Sequence, residues 1–161
     1  MIVISDTSCI GYLIMIEKLF LLEQNFFKVI IPSTVHKEII QLSPTYDLTS
    51  YNQSQWITIA ELNERTLYNH LLNQLDKGES EAIALCKEAD ADLLLIDERK
   101  GTIIARSLGI KTIGLLGVLL LSKRRKFILN VRPVLDELIT NTTFRIDKNL
   151  YSNVLKEANE L

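Results

Sequence analysis

Two aspartates in this chain stand where a run of apolar residues ends: Asp6 after Ile2-Val3-Ile4-Ser5, and Asp97 after Leu93-Leu94-Leu95-Ile96. Short β-branched or continuous apolar runs read as buried strands. A carboxylate at a strand's carboxyl end sits where open α/β sheets bind ligands. Two carboxylates brought to one sheet edge repel, and each holds its proton more tightly unless a cation intervenes. The simplest such cation is a divalent metal with oxygen ligands, because Mg²⁺ is typically held by one or two carboxylates plus waters. The competing role for Asp6, Thr7 or Ser8 is to cap the following helix, since Asp, Ser and Thr are preferred N-caps.

Three more acids bear on the same edge. Glu38, in Ser33-Thr34-Val35-His36-Lys37-Glu38-Ile39, lies too deep in its helix to cap it, so the alternative is a solvated helix face. Glu79 and Glu81 open the helix of Gly78-Glu79-Ser80-Glu81-Ala82. Asp76 and Glu79 have the spacing of a capping box, and acids in a first turn suit the helix dipole. Glu81 escapes that explanation and is favoured as the inward acid, with Glu79 second.

An anionic ligand drawn to such a metal centre needs cations around it. Arg99 and Arg106 flank Asp97 and are the substrate-binding candidates. The denser run Lys123-Arg124-Arg125-Lys126 reads equally as the basic C-terminal end of a helix. Tyr12 is placed either to stack a base or to fill the core. With only His36 and His70, a site that relies on paired histidines needs both to meet, and two Cys with two His lack zinc-ligand spacing.

The elements that position these residues follow from periodicity. Strands are expected at Ile2–Ile4, Phe27–Ile31, Trp56–Ala60 (an edge), Asp92–Ile96 and Lys111–Ile113. Helices are expected over Cys9–Ile16, Lys18–Gln24, from Pro32 to Ile40, Glu64–Leu75, Glu79–Lys87, Thr102–Ser107 (closed by Gly109), Leu115–Ser122, Pro133–Thr140 and Lys148–Glu160. Glu64–Leu75 should turn Leu67, Leu71, Leu72 and Leu75 inward, and Leu42–Gln55 should be a loop. Strands alternating with helices predict an α/β fold: a three-layer α/β/α sandwich with a mainly parallel central sheet and right-handed crossovers.

At 161 residues the chain suits one domain, with C-terminal helices from about residue 133. A net charge of −2 supplies no global basic field, so any nucleic-acid site must be local. Cys9 and Cys86 read as small buried hydrophobes and not as a disulfide framework. No signal peptide or bilayer-length apolar run is seen, which predicts a cytoplasmic protein with no membrane contact.

Four stretches occur together in order: Val3-Ile4-Ser5-Asp6-Thr7-Ser8, Ile31-Pro32-Ser33-Thr34-Val35-His36-Lys37-Glu38-Ile39, Gly78-Glu79-Ser80-Glu81-Ala82-Ile83-Ala84-Leu85 and Leu93-Leu94-Leu95-Ile96-Asp97-Glu98-Arg99. With them the chain resembles PIN-domain proteins of the VapC-like kind, and more closely a prokaryotic PIN subfamily without an assigned role. The resemblance implies a PIN-like fold and a divalent-metal-dependent endoribonuclease. Asp6, Glu38, Glu81 and Asp97 match the four acids that hold one or two Mg²⁺ or Mn²⁺ ions, with Glu79 a participant. Thr7 or Ser8 matches the hydroxyl that orients them. It further implies the toxin of a type II toxin–antitoxin pair, an RNA substrate, an antitoxin partner and a homodimer. Cys9-Ile10-Gly11 departs from the subfamily's Pro-Leu-Ile.

Two other readings stand beside it. One is a catalytically weak PIN-like scaffold that binds nucleic acid or protein. The other, a haloacid-dehalogenase-type phosphotransferase, wants a second Asp where Ser8 stands.

Overall fold

In the computed structural model, which describes residues 1–161, five parallel strands form one sheet in the order β3-β2-β1-β4-β5. These are β1 (Val3–Ser5), β2 (Val29–Pro32), β3 (Ile57–Ala60), β4 (Leu93–Leu95) and β5 (Thr112–Ile113). The chain lays down β1, β2 and β3 towards one side, then returns to add β4 and β5 on the other. The reversal falls between β1 and β4, the topological switch point where such sheets bind ligands.

Side chains alternate across the sheet and feed two cores. Val3, Val29, Ile31 and Leu95 enter the larger one, with α1 (Thr7–Met15), α2 (Phe20–Phe26), α3 (Ser33–Ile40), α8 (Leu115–Arg124), α9 (Val131–Asn141) and α10 (Lys148–Glu157). Ile4, Leu94 and Ile96 enter the smaller one, with α5 (Thr66–Leu71), α6 (Lys77–Glu88) and α7 (Arg99–Ser107). Burial on both faces explains why these strands are continuously apolar in the sequence. The architecture is the expected three-layer sandwich.

Two expectations change. Within Leu42–Gln55 a helical turn forms, α4 (Thr49–Asn52), started by Asp47, whose carboxylate accepts from the Thr49 amide at 2.9 Å. It drives Leu48 and Tyr51 into the larger core, where Tyr51 Oη meets His36 Nδ1 at 2.6 Å. The long helix expected over Glu64–Leu75 is confined to α5. Glu88 accepts from the amides of Asn63 and Glu64, and Glu64 accepts from the Thr66 amide, so this stretch is a turn and the helix starts late. Leu71 and Leu75 still face inward, whereas Leu72 is exposed.

Candidate active site

The strand register sets the geometry. Ser5 pairs with Leu95, and the Asp6 amide donates to the Leu95 carbonyl at 2.9 Å, so Asp6 and Asp97 emerge almost level at the carboxyl edge. Asp6 occupies the N-cap position of α1, yet its side chain accepts no capping hydrogen bond. The carboxyl group is buried, and its pKa is pushed up to about 7. Burial is the chief cause, with the Thr7 amide pulling the other way and the Asp76, Glu38 and Asp97 carboxylates adding repulsion.

Asp97 is held from two sides. Its Oδ1 accepts from the Leu115 amide at 2.8 Å, at the first turn of α8, and its Oδ2 accepts from the Cys9 thiol at 3.4 Å. Burial raises its pKa and these two donors oppose the rise. Gly114 makes this approach possible, since a Cβ there would stand 2.7 Å from Asp97 Oδ1. Cys9, expected only to fill space, is therefore a buried donor to a site acid. Cys86 is buried as expected.

Glu38 on α3 is half-buried, and Thr7 Oγ1 donates to its Oε2. Burial lifts its pKa; the Thr7 hydroxyl opposes this, while Asp76 and Glu81 add repulsion. Of the two hydroxyls, Thr7 is the one bonded to an acid, whereas Ser8 lines the adjoining cleft. Gly78 packs against Glu38, where a Cβ would lie 2.7 Å from Oε1.

Both glutamates of α6 turn inward. Glu81 is buried, with Oε2 accepting from Thr34 Oγ1 and Oε1 left without any partner. Asp76 caps α6 by accepting from the Glu79 amide at 2.8 Å, which is one half of the capping box. The Glu79 side chain is buried, and its pKa is pushed up to about 8 by that burial and by the Asp76, Asp6 and Glu98 carboxylates. Asp76 and Glu98 therefore belong to the acidic edge; the sequence offers Asp76 as a helix cap, and in the structure Glu98 also caps α7, accepting from the Gly101 amide at 2.7 Å.

The basic candidates are placed less favourably. Arg99 is exposed at the start of α7, next to the site. Arg106 is a correction: it lies at the far end of α7, where its Nε donates to Thr112 Oγ1 at 2.8 Å, and it is not brought to the acids. The run at 123–126 ends α8. Lys123 pairs with Glu160 at 2.9 Å and Arg125 binds the Asn25 carbonyl at 2.6 Å, so it serves packing.

The carboxylates do not stand as a ready cage, because no three of them are gathered at ligand distance. They nevertheless fit a divalent ion. The donors are carboxylate and hydroxyl oxygens, which suit Mg²⁺ or Mn²⁺ better than zinc. The buried Glu81 Oε1 lacks a partner, and the burial of Asp6 is only partly offset by the Thr7 amide.

A cleft of about 410 Å³ opens beside Asp97 and Glu98, lined also by Ser8, Tyr12, Leu116 and Arg145. The largest cavity, about 610 Å³, lies at the opposite, amino-terminal edge among Met1, Phe27, Lys28 and Arg125 and contains none of these acids.

A parallel α/β sheet with buried carboxylates at its switch point defines the class, and comparison with known proteins agrees. The chain belongs to the PIN-domain family: residues 2–160 match the family DUF3368, described as a PIN domain. PIN domains are in general metal-dependent nucleases. The fold is also similar to a PilT N-terminus domain protein from the hyperthermophilic archaeon Sulfolobus solfataricus P2. That match has a TM-score of 0.57 and 19% identity, covering 73% of this chain and 90% of the other. No curated protein matches the chain. No helix is long and apolar enough to cross a membrane.

Proposed function

We propose that this protein is a divalent-metal-dependent endoribonuclease that cleaves RNA phosphodiester bonds with an activated water molecule. The observation that carries the reading is the burial of several carboxylates at one sheet edge with no basic side chain to neutralise them. Burial of like charges is costly, and a fold retains it where a cation completes the site. Asp6, Glu38, Glu81 and Asp97 would hold Mg²⁺ or Mn²⁺, with Glu79 beside them. A divalent ion bound there supplies an acidified water and positive charge for the transition state. The chain's own residues orient and insulate the site. Thr7 and Thr34 fix Glu38 and Glu81, and the Leu115 amide and Cys9 thiol fix Asp97.

We extend the proposal to the toxin of a type II toxin–antitoxin pair, a cytoplasmic homodimer restrained by an antitoxin. This part is supported by the family resemblance. The alternative, a PIN-like scaffold that binds without cutting, draws on the spread of the carboxylates. Cleavage of a mixed RNA pool in EDTA, Mg²⁺ or Mn²⁺ decides between them, run beside Asp6→Asn and Asp97→Asn. Metal-dependent cutting lost in both variants supports the nuclease. RNA binding without cutting in either metal supports the scaffold.

A further inference from the structure

We infer that the cleft beside Asp97 seats one nucleotide of a single strand, with Arg145 gripping its phosphate and an apolar floor receiving its base. The inference rests on the nuclease reading, because the cleft is continuous with that site through Asp97 and Glu98.

Arg145 is unusually well fixed for an exposed cation. Its Nη1 donates to the carbonyls of Ile139, Thr142 and Phe144 at 3.0, 3.0 and 2.7 Å. The turn that carries it is itself tied down: Thr142 Oγ1 accepts from the Phe144 amide at 3.0 Å, and both residues are buried. Nε and Nη2 make no hydrogen bond within the chain. The two salt bridges of the structure use Lys18 and Lys123, so Arg145 has no carboxylate partner. A guanidinium held in place with its charge unspent is preorganised for a phosphate. It is also the cation that shares a cleft with a site acid, a place the sequence had offered to Arg99 and Arg106.

The remaining walls suit a base. Tyr12 stands edge-on to Phe144, with ring centres 5.4 Å apart, and Leu116, Ile146 and the exposed Leu150 complete an apolar surface. A volume of about 410 Å³ falls in the range of roughly 300–1,000 Å³ typical of small-ligand pockets. An apolar floor receives only an unstacked base, so the cleft selects single strands over duplex.

The test is anisotropy of a labelled eight-nucleotide single-stranded RNA in EDTA across a salt series. Wild type is compared with Arg145→Ala, Arg145→Lys and Leu150→Glu, with a duplex of equal length as competitor. Arg145→Ala should weaken binding about tenfold and lower the salt slope by about one. Arg145→Lys should keep the slope. Leu150→Glu, which leaves the Arg145 tethers intact, should weaken binding comparably, and the duplex should compete poorly. Unchanged affinity and slope in both Arg145→Ala and Leu150→Glu would overturn the inference, as would a wild type that binds no strand or a duplex that competes equally. The same proteins are assayed for metal-dependent cutting. Cutting with unchanged binding sinks the cleft alone, whereas Arg145-dependent binding without cutting sinks the nuclease alone.

Discussion

Cys9 Sγ lies 3.4 Å from Asp97 Oδ2, so the first helix reaches across β1 to hold the acid that ends β4. Burial and the Asp97 charge push the thiol's pKa well above its usual value, which keeps it a donor. Cys9→Ala leaves Asp97 with the Leu115 amide as its remaining donor. Losses of such supporting contacts typically cost 10–100-fold in metal affinity or activity. We expect about a tenfold rise in the Mg²⁺ concentration for half-maximal cleavage, with Cys9→Ser close to wild type.

Asp6→Asn should separate activity from stability. Cleavage should fall by at least about 100-fold, because a strand-end carboxylate is lost. The metal-free variant should nevertheless be more stable than wild type at pH 8, by on the order of 1–3 kcal/mol, since a buried charge has been removed. Urea unfolding in EDTA at about pH 8, 5 and 3.5 checks this; the gain should shrink as pH falls through the folded pKa and vanish only below about pH 4, the unfolded value.

The same burial gives the metal-free protein a pH dependence of definite sign. Asp6 and Glu79 have folded pKa values of about 7 and about 8, above their unfolded values near 4. Between these limits the native state binds more protons than the unfolded state, so stability falls as pH rises. Their contribution is complete below about pH 4 and lost by about pH 8. Divalent metal should reverse the trend, adding about 2.7 kcal/mol at a hundred times its Kd. A melting series in EDTA and Mg²⁺ should show the larger metal-induced rise at pH 8. Equal rises at pH 5 and pH 8 would count against carboxylate ligands.

Two glycines let the acids approach the backbone. Gly78→Ala and Gly114→Ala would each place a Cβ 2.7 Å from a carboxylate oxygen, of Glu38 and Asp97 respectively. Side-chain ends yield more easily than backbone, so activity should drop about tenfold or more while the melting temperature shifts by only a few degrees. Cleavage rates beside thermal melts check both.

Much of this site was legible from where apolar runs stop. Asp6 and Asp97 stand out because each follows a strand buried on both faces, and the one competing role, capping by the Asp6 side chain, is not taken up. Glu38 was legible by position in its helix, and the uncertainty between Glu79 and Glu81 reflects a real feature, since both are buried on α6. Asp76, Glu98 and Thr34 were hidden because their local roles as caps or turn residues already explain them. Arg145 was hidden for another reason: only the folding of the turn after α9 brings it to the cleft that Asp97 also lines. Arg106 misled because closeness in sequence to Asp97 spans a whole helix in space. The late start of α5 was likewise set by Glu88, 24 residues beyond the amide it binds most closely.

Glu160 closes the fold at its other end. It accepts from the Val131 and Arg132 amides at 2.7 and 3.0 Å and pairs with Lys123. Glu160→Ala should cost about 1–3 kcal/mol, because the first turn of α9 loses its acceptors. Denaturant unfolding reads the loss, and cleavage under native conditions should be unchanged.

The order in which β1 and β4 enter the sheet has a consequence for synthesis. Asp6, Glu38, Glu79 and Glu81 all precede β4, Asp97 and the Leu115 amide in the chain, so they are made before the strand and donor that complete the edge. A nascent chain therefore carries several of the acids before the strand that would gather them beside Asp97. The acidic edge is complete only once β4 and the start of α8 have joined the sheet, so partial chains that stop short of them lack an assembled centre.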